Sequence, residues 1–236
     1  ALVMATGIVS VAAHLLGMEL VAQALVAVNL AAFPLLWVLT LTRVVLYPSD
    51  VFADLVDHQR GVGFFTIVAG TSVLGVQLVL VRGDRVAGFA LWTVAVALWL
   101  LLTYAIFTAF TVKETKPSLA EGINGGWLVA VVATESVSNL GGLLLPAFKD
   151  HHEELLFFTL VFWLCGGMLY IWMISLIFYR YAFFPFSPGD LSPPYWINMG
   201  AMAISSLTGA TLIENTPHAP FLLSTLPRAA HSPLQL

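Results

Sequence analysis

Charge is scarce in this chain: Asp, Glu, Lys and Arg make up 9% of its 236 residues, against about a quarter in ordinary soluble domains. Together with 59% hydrophobic residues, that shortage excludes a soluble globular fold. Cysteine is scarcer still. Cys165 stands alone in an apolar run, so no intrachain disulfide can form, and no Cys/His spacing fits zinc, haem or an iron–sulfur cluster. Basic clusters are missing as well. The formal charge of −4 is spread over short connections, which argues against nucleic acid as a partner and against a polybasic lipid-binding arm. Period-two alternation is absent, which removes a membrane β-barrel. GxS motifs, phosphate loops and nucleophile–base spacings are absent too, so no enzyme activity, catalytic residue, cofactor or metal site is expected.

What the chain has in quantity is long apolar runs bounded by Gly, Pro or charge. Seven segments are readable: Leu2 to Gly17, Leu20 to Tyr47, Gly61 to Val81, Val86 to Val112, Asn124 to Pro146, Leu155 to Phe184 and Tyr195 to Ile213. Pro34 predicts a kink in the second, because proline removes a backbone donor. No stretch is left over for a separate soluble domain. The expected fold class is an all-α polytopic membrane protein with the lipid bilayer as its partner. Lys and Arg slightly favour the connections after segments two, four and six, which places the N-terminus in the cytoplasm.

Composition alternates between segments. Segments three, five and seven are rich in Gly, Ala, Ser, Thr and Asn, whereas segments four and six are rich in aromatics. Small residues let backbones approach and expose polar groups to an interior, while bulky surfaces suit lipid. The odd helices are therefore expected inside, around a pore, and the even helices outside. Stripes at spacings of three and four strengthen this: Thr6, Ser10 and His14; Gly63, Thr66, Gly70 and Gln77; Asn198, Ala201, Ser205 and Thr208. Helix–helix packing explains any one stripe, and only their joint restriction to alternate segments points to a conduit.

The fifth segment carries Glu135 near its middle, sharing a face with Ser138, Asn139 and Gly142. A carboxylate in hydrocarbon is costly, so Glu135 must face protein or water. Two readings stand: the face lines a solute path, or it glues helices with Glu135 as a structural hydrogen-bonding group. The substrate-path candidates are Glu135, Ser138, Asn139, Thr66, Gly70, Ser205, Thr208, Thr6 and Ser10. No Lys or Arg lies in the cores of the odd segments, so attraction for an anion has to come from hydroxyls and helix ends. Burial favours neutral Glu135, which either donates to a carboxylate substrate or couples a proton to transport. His14 reads as a capping or packing group, with proton sensing as its alternative. The run His151-His152-Glu153-Glu154 reads as a solvated turn, since adjacent ligands point apart.

The runs VMATGIVS (Val3 to Ser10), HQRGVGFFTIVAGTSVLG (His58 to Gly75), NGGWLVAVVATESV (Asn124 to Val137) and PYWINMGAMAISSLTGATLI (Pro194 to Ile213) resemble the tellurite-resistance/dicarboxylate transporter family. That family includes bacterial tellurite-resistance proteins, fungal malate and sulfite transporters and plant guard-cell slow anion channels. The resemblance implies ten helices in five hairpins, odd helices ringing a pore and a homotrimer in the cell membrane. It implies an anion channel or transporter for four-carbon dicarboxylates such as malate, with tellurite or sulfite behind. It covers most of Leu2 to about Pro227, so 1–227 is read as one transmembrane domain and 228–236 as a polar tail outside the family pattern. On this reading helices eight to ten are missing and the gating phenylalanine of the ninth helix has no counterpart. The alternative function is thus a non-conducting truncated fragment or scaffold.

Overall fold

The computed structural model describes residues 1–148, 151–185 and 193–215. The polar tail at 228–236 lies outside the described residues. Among the described residues there are helices and no strands: α1 (Leu2–Leu15), α2 (Glu19–Leu46), α3 (Pro48–Leu55), α4 (Phe65–Arg82), α5 (Arg85–Val112), α6 (Leu119–Gly122), α7 (Leu128–Leu144), α8 (His152–Phe183) and α9 (Ile197–Asn215). With their flanking turns, α2, α4, α5, α7, α8 and α9 are each long and apolar enough to cross a membrane, and α1 is a shorter apolar helix. The chain is a multi-pass membrane protein. Helix α2 runs unbroken through Pro34.

Local chemistry sets the boundaries. Helix α4 ends where Gly83 takes the left-handed conformation at φ 69° and Asp84 N–H returns to Leu78 O at 2.9 Å, a closure that only glycine adopts without strain. Asp84 then caps α5 by accepting the Ala87 N–H at 2.9 Å. One tight turn therefore stops one span and starts the next. Helix α3 starts at Pro48, where the missing N–H costs nothing.

Three hairpins, α1/α2, α4/α5 and α7/α8, pack side by side, and α9 follows on. The inner members form a continuous series: α1 packs on α4, α4 on α7 and α7 on α9. Each outer helix fills the groove between its own partner and the next inner helix, α2 on α1 and α4, α5 on α4 and α7, α8 on α7 and α9. Burial separates α4 and α7 from the outer layer. The most apolar windows of α4 and α7 are 78% and 94% buried, against 11% for α2, 11% for α5 and 22% for α8. The expected division into odd inside and even outside holds. Helix α9 follows it on one side only: it packs on α7 and α8, while Met199, Met202 and Ile213 are exposed.

Aromatic residues of the outer layer also tie the layers together. Trp92 and Trp99 of α5 donate to Val137 O at 3.0 Å and Thr134 Oγ1 at 2.7 Å on α7. Trp163 and Tyr170 of α8 donate to Ser205 O and Asn198 Oδ1 on α9, both at 3.0 Å. Indole and phenol suit this place, with an apolar body toward lipid and one donor toward protein.

Candidate functional site

The inner helices run in the same direction, because an outer helix returns between each one and the next. The short 3₁₀ turns that precede α4, α7 and α9 (Gly61–Phe64, Gly125–Trp127 and Pro193–Trp196) accordingly meet at one end of the bundle. Their N-terminal dipole ends make that mouth attractive to negative charge.

Between α1, α4, α7 and α9 lies a cavity of about 650 Å³, within the range of roughly 300–1,000 Å³ seen for ligand sites. Helix α7 contributes Val129, Val132, Ser136 and Asn139 at helical spacing, and α4 contributes Thr66, Val73 and Val76. Ala5 and Ile8 face it from α1, Gly200 and Ile204 from α9. The wall is mostly aliphatic, with no charged side chain among its lining residues. Such a surface holds an ion only weakly, which lets a solute leave as well as enter.

The nine path residues expected from the sequence divide between the wall and the seams behind it. Thr66 and Asn139 line the cavity. Gly70 lies by a smaller space of about 180 Å³ between α1, α2 and α4, which Thr66 also borders. Thr6 and Ser10 face α2: Thr6 bonds Asn29 Oδ1, and Ser10 donates to Ala22 O at 2.8 Å. Ser138 donates to Thr159 O of α8 at 2.7 Å. Thr208 is buried against α7, its hydroxyl donating to Ile204 O at 2.8 Å and lying 3.4 Å from Glu135 O. Ser205 faces the same seam from α9.

Glu135 is completely buried on the side of α7 turned to α8 and α9, not on the cavity face. A Cβ on Gly166 of α8 would sit 2.4 Å from its Oε1, so the glycine makes the notch that receives the carboxyl group. Ser205 is its polar neighbour across the seam, yet neither carboxyl oxygen makes a hydrogen bond of good geometry. Of the two roles expected for Glu135, direct donation to a solute has no contact behind it here. Sequence reasoning missed Ser136 and the valines of the wall; Ser136 sits one position from Glu135 on a different face.

At the N-terminal mouth, His58 stacks on Phe110 with ring centroids 4.3 Å apart. Burial, then the nearby charge of Lys113, holds its imidazole below the usual histidine range. Asp57 accepts the Gln59 and Arg60 N–H groups at 2.9 Å, and Arg60 meets Asp54 at 2.8 Å. At the other mouth, His14 Nδ1 lies 2.6 Å from Glu19 Oε1.

The profile of the SLAC1 family, described as voltage-dependent anion channels, matches residues 1–232. The chain belongs to this family. Family relatives include two uncharacterized transporters of Methanocaldococcus jannaschii. One is 24% identical over 187 residues, covering 78% of this chain and 53% of the relative; the other is 25% identical over 227 residues, covering 92% and 64%. A sulfite efflux pump of Arthroderma otae is 25% identical over 169 residues, covering 69% of this chain and 44% of the pump. The chain thus spans about half to two thirds of the length of the archaeal family members. No solved structure matches it.

Proposed function

We propose that this chain forms the wall of a conduit for small anions across the cell membrane. The observation that carries the reading is the cavity bordered by four parallel inner helices and backed by three outer ones, of which α5 and α8 are aromatic-rich. Family membership gives the class of solute, and the mouth gathers helix N-termini where an anion arrives. Among the solutes implied by the resemblance, sulfite draws support from the efflux pump that the chain is similar to. Four-carbon dicarboxylates and tellurite rest on the resemblance alone, as do the homotrimer and the placement in the plasma membrane. Glu135, in its seam behind the wall, serves as a proton site coupled to the path through α7.

Flux of malate, sulfite, tellurite and chloride into liposomes carrying the purified chain tests this. Anion entry above protein-free liposomes supports the conduit. Saturation and dependence on the pH gradient identify a carrier, and their absence a channel. No entry of any anion makes the chain a non-conducting scaffold.

A further inference from the structure

We propose that Asn139 is the docking point of the solute, and that the cavity selects a singly charged oxyanion still carrying a proton. The proposal rests on the conduit reading and adds to it the chemical class of the solute. Asn139 is 5% exposed and lines the cavity, yet its carboxamide makes no hydrogen bond to the protein among the described residues. Buried polar groups are nearly always paired, so an unpaired carboxamide facing a cavity marks a place where a ligand or water belongs.

The other polar groups of the wall define what that ligand offers. Ser136 donates its hydroxyl proton to Val132 O at 2.7 Å, and Thr66 donates its own to Gly63 O at 2.7 Å. A hydroxyl has one proton, so both residues turn only lone pairs toward the cavity. The side chains of the wall therefore present three acceptors, Ser136 Oγ, Thr66 Oγ1 and Asn139 Oδ1, and one donor group, Asn139 Nδ2. Ser136 and Asn139 are one helical turn apart, within reach of a single small ion.

An anion without protons satisfies Nδ2 and meets lone pairs elsewhere. A hydrogen-anion, such as hydrogensulfite or the monoanion of a dicarboxylic acid, places its charged oxygen on Nδ2 and gives its own O–H to Oδ1 or Ser136 Oγ. A second negative charge finds no cationic side chain in an aliphatic wall to offset its dehydration.

The test compares sulfite with nitrate, a proton-free monoanion, for binding to the purified chain in detergent and for flux in liposomes. Measurements run from mildly acid pH, where hydrogensulfite dominates, to alkaline pH, where the dianion does. Nitrate at each pH controls for titration of protein groups, including Glu135 on the far side of α7. Half-saturation by hydrogensulfite is expected at about tenfold lower concentration than by nitrate, with the advantage fading as pH rises. Asn139→Leu, or Asn139→Asp should the first not fold, brings the two values together. Nitrate binding as well as hydrogensulfite in the unmodified chain overturns the proposal, and so does a preference that survives loss of Asn139. Asn139-dependent binding without flux leaves the docking point standing and removes the conduit. Flux indifferent to Asn139 does the reverse, and neither binding nor flux removes both.

Discussion

Gly125→Ala is the substitution that most directly attacks the arrangement of the inner helices. Gly125 opens the turn before α7, and a Cβ built on it lies 2.5 Å from Pro194 O and from both the N and Cα of Tyr195, in the turn before α9. These are backbone atoms, so no rotamer change relieves the clash. Ordinary contact begins at 3.4 Å, so one turn must retreat by roughly 1 Å, and overpacking of this kind costs about 1–3 kcal/mol. Since α9 supplies its side of the cavity immediately after that turn, the same retreat loosens the mouth. Thermal unfolding in detergent is expected to show a lower midpoint for Gly125→Ala. Gly63→Ala and Gly200→Ala, whose added methyls meet nothing within 4 Å, are expected to leave it unchanged. A Gly125→Ala protein as stable as those two controls would refute the contact between the two turns and the convergence built on it.

Two further outcomes follow from titratable groups. The folded chain holds His58 neutral to lower pH than the unfolded chain does, so His58 contributes full stability above the ordinary histidine pKa of about 6.5 and loses it as pH falls below that value. His58→Phe keeps an aromatic ring against Phe110 and is expected to flatten the acid side of a plot of melting midpoint against pH; an unchanged slope assigns the dependence elsewhere. If Glu135 binds a transported proton, anion uptake by the unmodified chain declines as pH rises, and Glu135→Gln uptake does not. Identical pH profiles remove the coupling role.

The layering was legible because composition reports it. Small residues crowd α4 and α7, which are packed among other helices, and aromatics crowd α5 and α8, whose outward faces are exposed. The stripes told less. Spacings of three and four identify a face of a helix but not what lies opposite, and a hydroxyl serves a seam as well as a path. Thus Thr6 and Ser10 meet α2, Ser138 meets α8, and only Thr66 and Asn139 of the expected set border the larger cavity. The α4 and α7 sides of its wall are otherwise built largely from Val73, Val76, Val129 and Val132, residues that in a membrane sequence look the same whether they face lipid, protein or water. Glu135 was correctly kept from lipid by its cost of burial, but the notch at Gly166 depends on the register of α8 against α7, which no single segment encodes.

Thiol labelling tests the central claim, that the inner helices enclose a water-accessible lumen. With Cys165 replaced by Ser, single cysteines are placed on the cavity wall at Val76, Val132 and Ile204, and on the exposed faces of outer helices at Val38, Val94 and Leu176. A charged, membrane-impermeant methanethiosulfonate reacts with thiolate, which forms in water and not in lipid. The wall positions are predicted to label, more slowly when anion is present, and the outer positions to stay silent. Labelling of the outer set with the wall set silent would contradict the account.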